Sequence, residues 1–102
     1  MTDWTKICTL EDIPRQGSRV LESGQGRIAL FRTHDDTVFA LLDRCPHKGG
    51  QLAQGMVCGQ HVTCPMHGWN IGLADGQAVA PDSGTAPTFP AKVEDGLVYL
   101  QL

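Results

Sequence analysis

The sequence predicts an all-β fold, and three observations lead there. Its apolar runs are four to seven residues long, the length of strands and short for helices. Twelve glycines and six prolines divide those runs. The dividers carry turn chemistry: "SGQG" at 23–26, "HDD" at 34–36, "CGQ" at 58–60, "ADG" at 74–76 and "EDG" at 94–96. Many short β-rich runs between Gly or Asp turns fit a sandwich or a barrel.

Taken in order, the opening "WTKICTL" reads as a first strand containing Cys8. "LEDIP" at 10–14 can form one helical turn, which Pro14 ends. "RVLES" and "RIALF" then flank the "SGQG" turn as two strands. In "TVFALL" at 37–42, Val38, Ala40 and Leu42 fall on one face and Phe39 and Leu41 on the other. Both faces are apolar, so this strand belongs in the middle of the structure. "MVCGQHVTC" at 56–64 reads as two β-runs folded back across Gly59. "NIGLA", "TFPAKV" and "LVYLQL" supply the remaining strands, and "APDSGTAP" at 80–87 is a loop by composition.

The length of 102 residues suits one domain over 1–102. Its core is modest, and a bound metal would add stability. A net charge of −3 argues against nucleic acid, which needs a basic face. "MTDWTKICTL" lacks the basic start and long apolar stretch of a signal peptide. No apolar run approaches the roughly 20 residues that span a bilayer. The expectation is a cytoplasmic protein with no membrane partner. Thiols stay reduced there, so four cysteines point to metal or redox chemistry before disulfides.

Two short segments hold the chemistry. Cys45-x-His47 lies in "CPHKGG", and Cys64-x-x-His67 lies in "CPMHGW". A proline stiffens the chain after each cysteine, at Pro46 and Pro65. Gly49, Gly50 and Gly68 let backbone approach a bulky centre. Three readings fit these residues. The first is a coincidence of core cysteines and surface histidines. The second is a Cys2His2 zinc site, although zinc spacing usually pairs like with like, and one residue between Cys and His is tight for chelating a single ion. The third is a [2Fe–2S] cluster with two cysteines on one iron and two histidines on the other. Its two irons let each loop give one ligand to each metal.

At all four positions the pattern resembles the Rieske family, in which C-x-H and C-x-x-H are separated by a variable segment. The resemblance implies Cys45 and Cys64 on one iron, and His47 and His67 on the other. It implies stacked antiparallel sheets whose two loops form a cluster-binding tip, within about residues 43–80. Around the ligands it singles out Pro46, Lys48, Gly49, Gly50, Met66, Gly68 and Trp69. Each iron then has a full set of ligands and no open position, so the domain carries electrons and has no catalytic residue of its own.

The chain departs from the high-potential, respiratory-type members. Their extra pair of disulfide-forming cysteines is replaced by Gly50 and Met66, and their Ser and Tyr hydroxyls by Trp69 and Ile71. Histidine ligation sets a window of roughly −150 to +300 mV. Fewer hydroxyl donors place this cluster near the low end. Ferric iron also acidifies its histidine ligands, so the potential is expected to fall with rising pH in alkaline solution.

Two subfamilies share the small disulfide-free form: the small subunit of assimilatory NAD(P)H-dependent nitrite reductase, and the ferredoxin component of ring-hydroxylating oxygenases. "CPHKGG", "WNI" and "AVAPD…TFP.KVEDG" resemble the first. That resemblance implies a large siroheme and flavin subunit as partner, with nitrite reduced to ammonium there. A structural subunit holding zinc or nothing is a third possibility. Among the other residues, Lys48 reads as a solvated lysine or an aid to docking. Pro81 and Pro87 lie in a loop that either leans over the cluster or simply connects. Cys8 reads as a buried thiol, Cys58 as a residue at a turn, and His34 and His61 as surface residues.

Overall fold

A computed structural model describes residues 4–24, 26–44, 51–65, 68–79 and 84–101. The strands are β1 (Thr5–Thr9), β2 (Ser18–Ser23), β3 (Gly26–Arg32), β4 (Val38–Leu42), β5 (Met56–Cys58), β6 (His61–Thr63), β7 (Asn70–Gly72), β8 (Thr88–Phe89), β9 (Ala91–Glu94) and β10 (Leu97–Leu100). Two one-turn 3-10 helices span Leu10–Asp12 and Leu52–Gln54, and no α-helix occurs among the described residues. The fold is all-β, as the sequence predicts.

The strands form three sheets: β1-β10-β9, β2-β3-β4-β8 and β5-β6-β7. Each pairing is antiparallel. The four-stranded sheet is the middle layer. On one face Ile28, Leu30, Val38 and Ala40 pack with Cys8, Ile13, Val98 and Leu100. On the other, Ala29, Phe31 and Leu41 pack with Leu52, Val57, Val62 and Ile71. Alternate residues of β3 and β4 therefore enter two different cores. This explains why "RIALF" and "TVFALL" show no polar face, and it confirms the central place of Val38–Leu42.

The turns follow their residues. β2 and β3 close at Ser23↔Gly26. Thr33–Thr37 is a tight turn in which Thr33 N–H donates to Thr37 O at 2.9 Å and the Thr33 hydroxyl donates to Asp35. Behind it, the buried Arg32 guanidinium donates to the Leu10 and Ile13 carbonyls at 3.2 and 2.9 Å and to Asp36. This anchors the first 3-10 turn to β3. That turn ends at Asp12, and Ile13 is its cap.

One run is not a single strand. "TFPAKV" divides at Pro90 into β8, which joins the middle sheet, and β9, which pairs with β10. Proline has no N–H to give to a ladder, so the chain changes sheets there. The 3-10 turn at Leu52–Gln54 was not legible in the sequence. It forms because Leu52 drops into the core with 0% exposure.

Candidate metal centre

The second loop is the tip of the β6–β7 hairpin. The strands pair at Thr63↔Asn70, and the ladder continues one step, with Cys64 N–H donating to Trp69 O at 2.7 Å. Gly68 N–H donates to Cys64 O at 3.0 Å, an i→i+4 bond. Gly68 has φ +72°, a conformation that costs a side-chain-bearing residue about 1–2 kcal/mol. Cys64 itself is 1% exposed and lies in the core with Leu52, Val57, Val62 and Ile71. Trp69 packs on the edge of the same core.

The first loop is described at its two ends. At its entry, Leu42 N–H donates to Pro87 O and Asp43 N–H to Arg27 O, both at 2.8 Å. The Asp43 carboxylate accepts from Arg27 Nε and from Ala53 N–H, again at 2.8 Å. At its exit, the Ser18 hydroxyl donates to Ala53 O at 2.6 Å. Entry and exit are thus tied to the same sheet. A cleft of about 370 Å³ is lined by Gln54, Gly55, Met56, Thr63, Cys64, Pro65 and Gly68. It sets the exit of the first loop beside the turn of the second.

Of the candidate ligands, Cys64 is described; Cys45, His47 and His67 lie outside the described residues. So do Pro46, Lys48, Gly49, Gly50, Met66 and Pro81, whereas Gly68 is an exposed turn residue and Trp69 a partly buried packing residue. Pro87 holds the first loop's entry through its carbonyl. Ile71 is fully buried among apolar side chains and brings no hydroxyl to the site. Cys8 is buried and Cys58 exposed, and burial pushes the Cys8 thiol up from its ordinary value. His34 and His61 are exposed. Reasoning from the sequence missed Asp43 and Arg27. Asp43 follows the apolar strand Val38–Leu42 next to the C-x-H unit, a position that marks it as a residue of interest but does not reveal its partners.

These features suit an inorganic centre. Cys64 is a free thiol shielded from water, and its own backbone N–H and carbonyl are both bonded. The cleft sets Gln54, Gly55 and Met56, which follow the first loop, alongside it, and the sequence supplies the thiolate and imidazole donors that a mixed-ligand iron–sulfur cluster requires. The class defined is a small all-β iron–sulfur electron-transfer domain.

Residues 3–90 match the Rieske [2Fe-2S] domain, and the chain belongs to that family. Its cofactor is accordingly a Rieske-type [2Fe–2S] cluster, which supplies one-electron chemistry. Ferredoxin CarAc of Metapseudomonas resinovorans is 30% identical over 99 residues, covering 95% of this chain and 92% of its own. The solved structure of the E. coli protein NirD matches with TM-score 0.85 at 27% identity, over 100% of this chain and 98% of that one. A Mycobacterium tuberculosis protein assigned as an NADH-dependent nitrite reductase small subunit shares the fold, with TM-score 0.87 at 24% identity over 100% and 96%. The chain also spans between 19% and 26% of the length of larger curated relatives that it matches. No helix among the described residues is long and apolar enough to cross a membrane.

Proposed function

We propose that this domain is the electron-transfer small subunit of a cytoplasmic NAD(P)H-dependent nitrite reductase. Cys45 and Cys64 would hold one iron of its cluster, and His47 and His67 the other. Its partner would be a large siroheme and flavin subunit at which nitrite becomes ammonium, with no nucleic acid or membrane involved. On this reading residues 1–102 act as one domain.

The observation that carries the reading is the "AVAPD…TFP.KVEDG" run and its place. Ala78 bridges Ile71, and Val79 N–H donates to Asn70 O at 2.8 Å. The run that most resembles nitrite reductase small subunits therefore leaves directly from the second loop's hairpin. The near full-length likeness to NirD supports it. The comparable likeness to CarAc favours a second reading, a ferredoxin that feeds an oxygenase.

The test is reconstitution. The chain, prepared without air, should contain about two irons and acid-labile sulfide and show a histidine-ligated electron paramagnetic resonance signal after dithionite. Added to a siroheme flavoprotein depleted of its small subunit, it should restore NAD(P)H-dependent ammonium formation. Failure there, with electrons passing to a ring-hydroxylating oxygenase instead, overturns the first reading in favour of the second. Absence of iron and sulfide would leave only a structural role. Voltammetry should place the potential near the ~−150 mV end of the Rieske range; a value above about +100 mV contradicts the paucity of hydroxyl donors.

A further inference from the structure

One buried charge beside the first loop belongs to none of the roles above. The Asp43 side chain is 0% exposed, and Asp43 stands two residues before Cys45. Oδ2 accepts from Arg27 Nε and Oδ1 from Ala53 N–H, each at 2.8 Å. Its own N–H donates to the Arg27 carbonyl at 2.8 Å. One side chain thus joins β3, the loop's entry and the loop's exit. A buried carboxylate is costly unless its partners satisfy it, and removing the carboxylate leaves those partners unpaired.

The ion pair is lopsided. Arg27 is 44% exposed and also faces Glu22 at 3.5 Å. Water and Glu22 screen the guanidinium, while the carboxylate has no such screen. The carboxylate is therefore the desolvated member of the pair. Only Arg44, an exposed residue, stands between Asp43 and Cys45 in the sequence.

We propose that Asp43 is a positioning residue for the cluster, closing the loop that carries Cys45 and His47 while its charge biases the centre against accepting an electron. The reduced state carries one more negative charge than the oxidised, so a nearby carboxylate raises its energy and lowers the potential. The inference rests on the ligand assignment proposed above and deepens it.

The experiment compares Asp43→Asn and Arg27→Gln with the unaltered cluster-loaded chain. Redox titration reads the potential, and absorbance in an iron chelator reads cluster loss. Asp43→Asn should raise the reduced-to-oxidised ratio at fixed ambient potential about tenfold, which is about 59 mV for one electron. Arg27→Gln should move the potential the opposite way and by less. Both should lose the cluster faster. Loosened packing alone would shift both potentials in one direction; that result, or no shift, overturns the proposal. If Asp43→Asn does not fold, Arg27→Gln decides: a lower potential supports the inference, and an unchanged or higher one overturns it. An unaltered chain without the histidine-ligated signal would instead defeat the ligand assignment, before any variant is compared.

Discussion

The two cores on either side of the middle sheet are built to different plans. One packs β1, β9 and β10, from the two ends of the chain, around Cys8, Ile13, Val98 and Leu100. The other packs the consecutive strands β5, β6 and β7, three residues each, around Val57, Val62, Cys64 and Ile71. Three-residue strands are too short to stand alone. They depend on the middle sheet beneath them. The difference separates a foundation, which needs only apolar contact, from a face of short strands whose order, on the proposed ligand assignment, is expected to be coupled to the metal.

Core truncations test that division most severely. Phe31→Ala, on the side of the short strands, should cost about 3–5 kcal/mol in urea unfolding and speed cluster loss in a chelator. Leu100→Ala, on the foundation side, should cost about 2–5 kcal/mol and leave the rate of cluster loss close to normal. Equal rates of loss would erase the distinction. Gly76→Ala should come next. Gly76 has φ +71°, and an added Cβ would lie 2.0 Å from the Ala86 carbonyl oxygen. A cost of about 2–4 kcal/mol is expected, seen as a lower urea midpoint.

Removing the metal sharpens the comparison more gently. Chelation should hasten amide exchange at Val57, Val62 and Ile71 while Leu30 and Val98 stay protected, measured by hydrogen exchange. Uniform loss of protection would mean that the two cores melt together. The smallest effect expected belongs to the foundation alone. The Thr9 N–H donates to Asp12 Oδ2 at 3.0 Å, and this bond chiefly holds the Asp12 carboxyl below its ordinary value, with Arg19 a minor contributor. A depressed carboxyl stabilises the fold above its unfolded pKa, about 3.9, and that stabilisation fades as the pH falls through the folded value. Asp12→Asn should therefore be less stable than the unaltered chain at pH 7, and the gap should close in acid. A gap independent of pH would refute the charge argument.

Much of this was readable in advance because it is local. Alternation and turn residues located the strands, and the doubly apolar "TVFALL" marked its own central position. C-x-H and C-x-x-H spacing identified the candidate ligands, of which Cys64 is placed by the structure. What stayed hidden depends on partners far along the chain. Asp43 meets Arg27 and Ala53 across 16 and 10 residues, and no local pattern announces such a meeting. Leu52 adopts its 3-10 turn because a core assembled elsewhere receives it. Pro90 was visible in the sequence, but its effect depended on two sheets being present to divide the strands between them.

The pairing of β1 with β10, beginning at Thr5↔Leu100, has an evolutionary and practical reading. Polypeptide enters and leaves the domain side by side, in the sheet that packs against the middle layer opposite β5–β7. Such a unit can be spliced into a longer protein, or joined to a reporter at either end, without threading new chain past the β5–β7 sheet.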